Sequence, residues 1–513
     1  MRLLGSTSRR GMLVYLGALF AVIQGGYLLL GVRFDCTPLT YAYQIMDVEL
    51  LRTRLLESSF YLHSQPPGFN LFLGAVLKLF PQAYTTAFWV IYLSCGLVLY
   101  GAVFLLQRQL GVSRPIAFVL STLFIASPSF VLWEHHLFYT FPLMVLLTVS
   151  ALLFHKSLDS DKVWWLLGFF FALVLLCVMR SLFQLMFYFG AAALLVAFSR
   201  NRKRVAVVAL VMLVPILSLY VKNWVVFDMF GTSSWMGEGA WMNIGRNIST
   251  EDRQKLVREG KLSELALIRW YSPVEDHPAG YTGVVKHADI PVLSETRKST
   301  GGVNYNHEAY IRISDQRMRD FLAAVRYCPK AVMVGVAAGC FVSLTSTSDY
   351  GLFTEGDLDA VAPIRHFYDF ALYGKIPLDL SKVQGFPKSN HPRYVYMFLL
   401  VGLPLLLVFA LRRAIAGFRH NAGLPRIQRA TILYLCLTIL YVAVVANTLG
   451  GGENNRYRFK TDPMYLALLG MFLQFRLIPW FKRRLTRPSR RTPLRHFFGR
   501  QGYETVEHRD AGV

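Results

Sequence analysis

His63-Ser64-Gln65-Pro66-Pro67-Gly68-Phe69-Asn70 closes a polar loop that opens on Arg33-Phe34-Asp35-Cys36, runs through Asp47, and lies between two hydrophobic stretches, 12–31 and 84–106. Carboxylates, a histidine and a Pro-Pro break squeezed between two apolar runs decide the fold: they form a loop at a membrane face. The remainder of the 513-residue chain agrees, with 54% hydrophobic and 14% aromatic residues and a mean hydropathy of +0.38, too apolar for a water-soluble domain. A crossing helix needs roughly 17 to 25 mostly apolar residues. About ten stretches qualify: 12–31, 84–106, 115–132, 138–154, 163–179, 182–198, 205–221, 394–411, 430–449 and 462–479. The expected class is an all-α polytopic membrane protein.

The net charge of +23 is not a nucleic-acid footprint, because the basic residues fall in alternate loops. They cluster at Arg2, Arg9 and Arg10, at Arg108 and Arg114, at Lys156 and Lys162, and at Arg200 to Arg204; further clusters are Arg412 to Arg429 and Lys482 to Arg495. If ten helices cross, the positive-inside rule puts all these loops and both termini in the cytoplasm. No small-residue cleavage site follows the first apolar run, so it reads as a retained span. Phe69 to Phe80 and Ala331 to Thr347 are too short or too weakly apolar to cross, and counting either would invert the basic loops after it. Both are expected to lie on or dip into the outer face. Four parts follow: 1–221 with the first loop, an extracytoplasmic segment 222–393, C-terminal helices 394–480, and a basic tail 481–513 expected to be disordered. Six scattered cysteines give no C-x-x-C pair; only Cys36 and Cys328 share the outer side as a candidate disulfide.

Chemistry-bearing residues gather on the outer side. Asp35 and Asp47 flank Tyr41 and Tyr43, and a carboxylate beside lipid, with its pKa raised, can act as a general base. His63 and Gln65 sit on the rigid turn before Phe69. Glu134, in Trp133-Glu134-His135-His136, is a second acid that could meet a sugar or a divalent cation, although adjacent histidines seldom face one centre. Arg180 and the string Gly451-Gly452-Glu453-Asn454-Asn455-Arg456-Tyr457-Arg458-Phe459-Lys460 place cations where the charge rule disfavours them. A guanidinium fork suits phosphate. Snorkelling arginines in an ordinary interfacial loop are the plain alternative.

In this order the pieces resemble the GT-C superfamily of membrane glycosyltransferases, in particular the family 39-like group related to protein O-mannosyltransferases and bacterial aminoarabinose transferases. The likeness lies in an acid in the first outer loop, in Pro66-Pro67-Gly68-Phe69 running to Lys78-Leu79-Phe80, in Glu134, and in Glu453-Asn454-Asn455-Arg456-Tyr457-Arg458. The family's paired Asp-Glu is absent, since Cys36 follows Asp35, which leaves the base between Asp35 and Asp47. The resemblance implies inverting transfer of a monosaccharide from a polyprenyl-phosphate donor to a glycan, lipid or protein acceptor on the outer face. Asp35 would take the acceptor proton, and Arg456 with Arg458 or Arg180 would hold the donor phosphate. Glu134 and His63 would position sugar, acceptor or a cation. It requires no nucleotide-binding loop; a divalent metal is left open. A transporter or flippase of a lipid-linked substrate and a polysaccharide polymerase or ligase are the rival classes.

Overall fold

A computed structural model describes residues 9–283, 285–349, 351–378, 394–419, 424–450 and 452–485. The structure is helical apart from one two-stranded antiparallel sheet, Lys375–Pro377 against Tyr394–Tyr396. All ten apolar stretches are helical. Tyr84–Gln109, Thr140–Asp159, Arg202–Phe227, Met397–Ala416, Arg426–Leu449 and Asp462–Phe481 are each long and apolar enough to cross a membrane. Arg114–Ile125 and Pro128–Glu134 form one stretch bent by 58°. The cause is local: Pro128 opens the second piece while the Ser127 hydroxyl accepts from the Phe130 N–H. Val163–Met179 and Leu185–Phe198 have 17 and 14 residues, roughly 25 and 21 Å at 1.5 Å per residue, short of a ~30 Å hydrocarbon core. By length, then, six of the ten expected stretches qualify as crossings, or seven with the bent one; the bent pair Ala309–Tyr327 and Pro329–Ser343, not among the ten, is an eighth candidate.

Contacts between the connecting loops nevertheless sort the ten segments into an alternating up-and-down array. At one end the Ser113 N–H meets the Gln474 side chain, Arg204 meets the Asp161 carbonyl, and Gln428 meets the Gln109 carbonyl. At the other, Lys222 reaches the Leu62 carbonyl and Tyr441 the Leu182 carbonyl. The first end carries the basic loops; the second carries the long segments. Central packing is aromatic: Phe154 stacks on Tyr434 at 4.6 Å, and the Tyr434 hydroxyl meets Ser150 at 2.8 Å.

Gly68–Leu79 forms the short helix expected after the Pro-Pro turn, burying Phe69, Leu73, Val76 and Leu77. Pro329–Ser343 is likewise a separate 15-residue helix, set at 109° to Ala309–Tyr327 across Cys328-Pro329. All six cysteines are free, so the Cys36–Cys328 bond is not made. Segment 222–378 builds two small cores of its own, one around Trp235, Tyr305 and Tyr310 and one around Trp241 and Ile244. Between them lies a buried pair, Arg317 with Glu238 at 3.4 Å, the same guanidinium donating to the Ile268 carbonyl at 3.0 Å. Residues 486–513 of the tail lie outside the described residues.

Met236–Gly245 packs so tightly on Ala309–Tyr327 that a Cβ on Gly237 would stand 1.8 Å from the Ser314 carbonyl oxygen. Gly237→Ala is therefore expected to destabilise the protein by about 2 kcal/mol or more. Gly26→Ala, with nothing within 4 Å of its new Cβ, should not. Thermal unfolding in detergent checks the pair.

Candidate functional site

The loop-rich end holds a cavity of about 220 Å³ lined by Tyr43, Gln65, Arg180, Trp235, Tyr271, Glu453, Arg456 and Tyr457, among others. Its chemistry is set by one phenol between two guanidiniums. Arg180, where the Val163–Met179 helix ends, lies over the Tyr139 ring at 4.5 Å and donates to Gln65 Oε1 at 2.6 Å and to the Tyr457 hydroxyl at 3.3 Å. Arg456, on the short helix Asn454–Phe459, donates to the Tyr139 hydroxyl at 3.0 Å, pairs with Glu453, and stacks on Phe138 at 4.9 Å. Lys460 completes the group, its ammonium 4.2 Å from the Tyr457 ring centre. That ammonium is buried with no hydrogen-bond partner among the described residues. Burial, followed by repulsion from Arg456 and Arg180, holds its pKa well below the usual lysine range. Two guanidiniums and one carboxylate, Glu453, thus line the cavity, with the Lys460 amine buried behind Tyr457. Glu453 pairs with Arg456, whereas the hydrogen-bond partners Gln65 and Tyr457 of the buried Arg180 guanidinium are neutral, and burying charge costs several kcal/mol.

Asp35 opens elsewhere, onto a shallow groove shared with Arg33, Asp357 and Asp359. Its Oδ2 lies 3.0 Å from His136 Nδ1, and its Oδ1 accepts from the Thr37 N–H and hydroxyl at 2.8 and 2.6 Å. Burial pushes its pKa up, but bonds from His136 and Thr37 outweigh burial and the net direction is down. The raised pKa expected of an interfacial base is therefore not found. Nor do Asp35 and Arg456 share one hollow: the loop 135–139 runs between them, His136 holding Asp35 on one side and Tyr139 holding Arg456 on the other. Tyr41 stands near enough to feel the charge of both Asp35 and Glu453.

The remaining expected site residues separate. Gln65 joins the cavity. Asp47 does not: it caps Val48–Thr53 through the Glu49 N–H at 3.1 Å and accepts from the Ser299 N–H at 2.7 Å and hydroxyl at 2.5 Å, so its oxygens are spent on joining two loops. His63 is fully buried, with Nδ1 on the Ser234 hydroxyl and Nε2 on the Asn306 carbonyl, both at 2.8 Å, leaving no ring nitrogen for a substrate or metal. Glu134 points into the bundle, accepting from Gln24 where Gly96 leaves it room. Asn454 braces its own loop through the Ala446 carbonyl and Asn447 side chain. Arg458 turns away to Asp462 at 3.3 Å. Among the described residues no group of three or more His, Cys, Asp or Glu side chains is placed to hold a metal ion.

Three contributors carry no signal in the sequence: Tyr139, Tyr271, and His136 as the partner of Asp35. Tyr271 adopts a left-handed backbone, φ 51°, with its N–H on Glu238 Oε2 at 3.1 Å. A bulky residue in that region is strained, and strain of this kind concentrates at binding sites. Its ring packs on Trp235 at 5.4 Å and Tyr43 at 6.0 Å, forming an aromatic wall of the cavity.

No protein-family model matches the chain, and no curated protein matches it. Two solved structures are similar: ArnT from Cupriavidus metallidurans bound to undecaprenyl phosphate, at 12% identity and a TM-score of 0.35 over 90% of this chain and 79% of that one. The same protein in the apo state matches at 13% and 0.32, over 89% and 78%.

Burial pushes the His63 pKa down to about 3, so in the folded protein the ring stays neutral while an unfolded chain takes up a proton near pH 6.5. The unfolded state binds more protons below that pH, and stability falls as pH falls. Thermal unfolding between pH 7 and pH 5 should show a shallower decline for His63→Gln than for wild type.

Proposed function

We propose that this protein is a membrane glycosyltransferase that moves a monosaccharide from a polyprenyl-phosphate donor to an acceptor hydroxyl at the loop-rich end of the bundle. The observation that carries the reading is the buried Arg180–Tyr139–Arg456 arrangement with Lys460 behind it. Paired guanidiniums and an ammonium out of water match the charge of a lipid phosphate, and they stabilise it most as it leaves the sugar. The aromatic wall of Tyr43, Trp235 and Tyr271 offers apolar faces to the sugar's C–H groups. The apolar helices of the bundle supply the surroundings a polyprenyl chain needs.

Proton removal from the acceptor is assigned to the Asp35–His136 pair. Asp35 is the carboxylate that takes the proton, and His136 and Thr37 fix its orientation. Glu453 is the second reading for the base, because it is the carboxylate that lines the cavity itself.

Transfer assays with undecaprenyl-phosphate monosaccharides, the lipid being the one bound in the ArnT structure, test this reading. Arg456→Gln and Arg180→Gln should each lower turnover by about 10² to 10³ with a folded, detergent-stable protein. Full activity in both would refute the phosphate assignment. Asp35→Asn abolishing transfer while Glu453→Gln retains it supports the pair; the reverse transfers the base role to Glu453. Because the His136 bond lowers the Asp35 pKa, His136→Gln should raise it and move the acidic limb of the pH–rate profile to higher pH.

A further inference from the structure

Away from this site, the Met397–Arg419 helix lies loosely against the bundle. Phe398, Val401, Leu405 and Val408 are exposed along it. Between it, Arg114–Ile125 and Asp462–Phe472 runs a groove of about 1080 Å³ whose walls include Leu123, Leu403, Phe409, Leu466 and Phe472. The groove follows one helix from Phe398 to Ala416, roughly 27 Å, nearly the depth of a ~30 Å hydrocarbon core.

Its end at the basic loops is lined by Arg412, Arg413 and Arg476. Among the described residues no carboxylate pairs with any of the three, and Arg413 Nε is buried without a partner. Arg413 is held over the Phe475 ring at 4.7 Å. Phe475 and Arg476 lie in a π-helical turn, Leu473–Leu477, a local widening that re-aims side chains and recurs at functional positions.

We propose that this groove binds an anionic phospholipid, its phosphate on Arg412, Arg413 and Arg476 and its two acyl chains along the Met397–Arg419 helix. Charge complementarity selects the headgroup: three guanidiniums meeting at the mouth of an apolar channel need a phosphate, and a zwitterionic headgroup cancels part of that attraction. The depth of the groove selects a lipid over a soluble anion. A polyprenyl-phosphate donor is disfavoured as occupant, since its phosphate at this end would lie across the bundle from Arg180 and Arg456. The preference for a phospholipid over a polyprenyl phosphate rests on the glycosyl-transfer reading; the lipid-sized groove with its arginine mouth does not.

The full-length protein in mild detergent is titrated with phosphatidylglycerol, phosphatidylcholine and undecaprenyl phosphate, and bound lipid is counted by native mass spectrometry. Wild type should retain one phosphatidylglycerol at least about tenfold more tightly than phosphatidylcholine. Arg412→Gln/Arg413→Gln/Arg476→Gln should lose that preference. Gly402→Phe, whose new side chain enters open space in the groove, should lower occupancy with the arginines intact and guards against a misfolded triple variant. Equal retention of both phospholipids by wild type, an unchanged preference in both variants, or displacement of phosphatidylglycerol by one equivalent of undecaprenyl phosphate would each overturn the proposal.

Discussion

One tyrosine between two arginines organises the loop-rich end of this molecule. Tyr139 accepts the Arg180 guanidinium on its ring face and an Arg456 N–H on its hydroxyl. The contact joins the start of one helix, the end of the next, and a short helix more than 300 positions later. Cations are rarely buried in this number without acids to match. Phenol rings soften the cost through cation–π attraction but leave the net charge in place. On the proposed reading an anionic phosphate completes the site, and the geometry around Tyr139 exists before it arrives. Catalysis by charge stabilisation depends on such preorganisation.

The roof over this cradle is fixed by polar locks. Lys298 donates to the Ala42 and Ile45 carbonyls, at 3.0 and 2.7 Å, beside the Ser299–Asp47 contact, and so fastens the first loop to the long segment. His63 makes a second fastening through Ser234 and Asn306. Glu238, itself held by Arg317, keeps Tyr271 in its strained conformation. Asp47 and His63 look catalytic in a sequence because they are polar and lie in loops. Their work is to hold the aromatic wall at a set distance from the arginines.

The apolar stretches were legible in the sequence, and each contains a helix among the described residues. What it missed was length: Leu185–Phe198 fills a 17-residue window with only 14 helical positions, because its first residues are spent in the Arg180–Gln184 turn. Arg456 was legible because cations on that side run against the charge rule. Asp47, His63 and Glu134 were misread because their partners, Ser299, Ser234 and Gln24, lie 110 to 252 positions away. Arg458 and Lys460 were within reach of a helical reading. Spacing of i to i+4 puts Lys460 on the face of Arg456 and sends Arg458, at i+2, to the opposite side. Tyr139 carried no such signal, being one aromatic among many in an apolar chain.

The central claim is where a lipid phosphate sits. A cryo-EM structure of the protein in a nanodisc with a polyprenyl phosphate bound addresses it most directly. The account predicts phosphate density within hydrogen-bond distance of both Arg180 and Arg456, with Lys460 turned toward it. Phosphate density seated in the Asp35–Asp357 groove or at the Arg412–Arg476 end, with the Arg180–Tyr139–Arg456 contact undisturbed and empty, would contradict it.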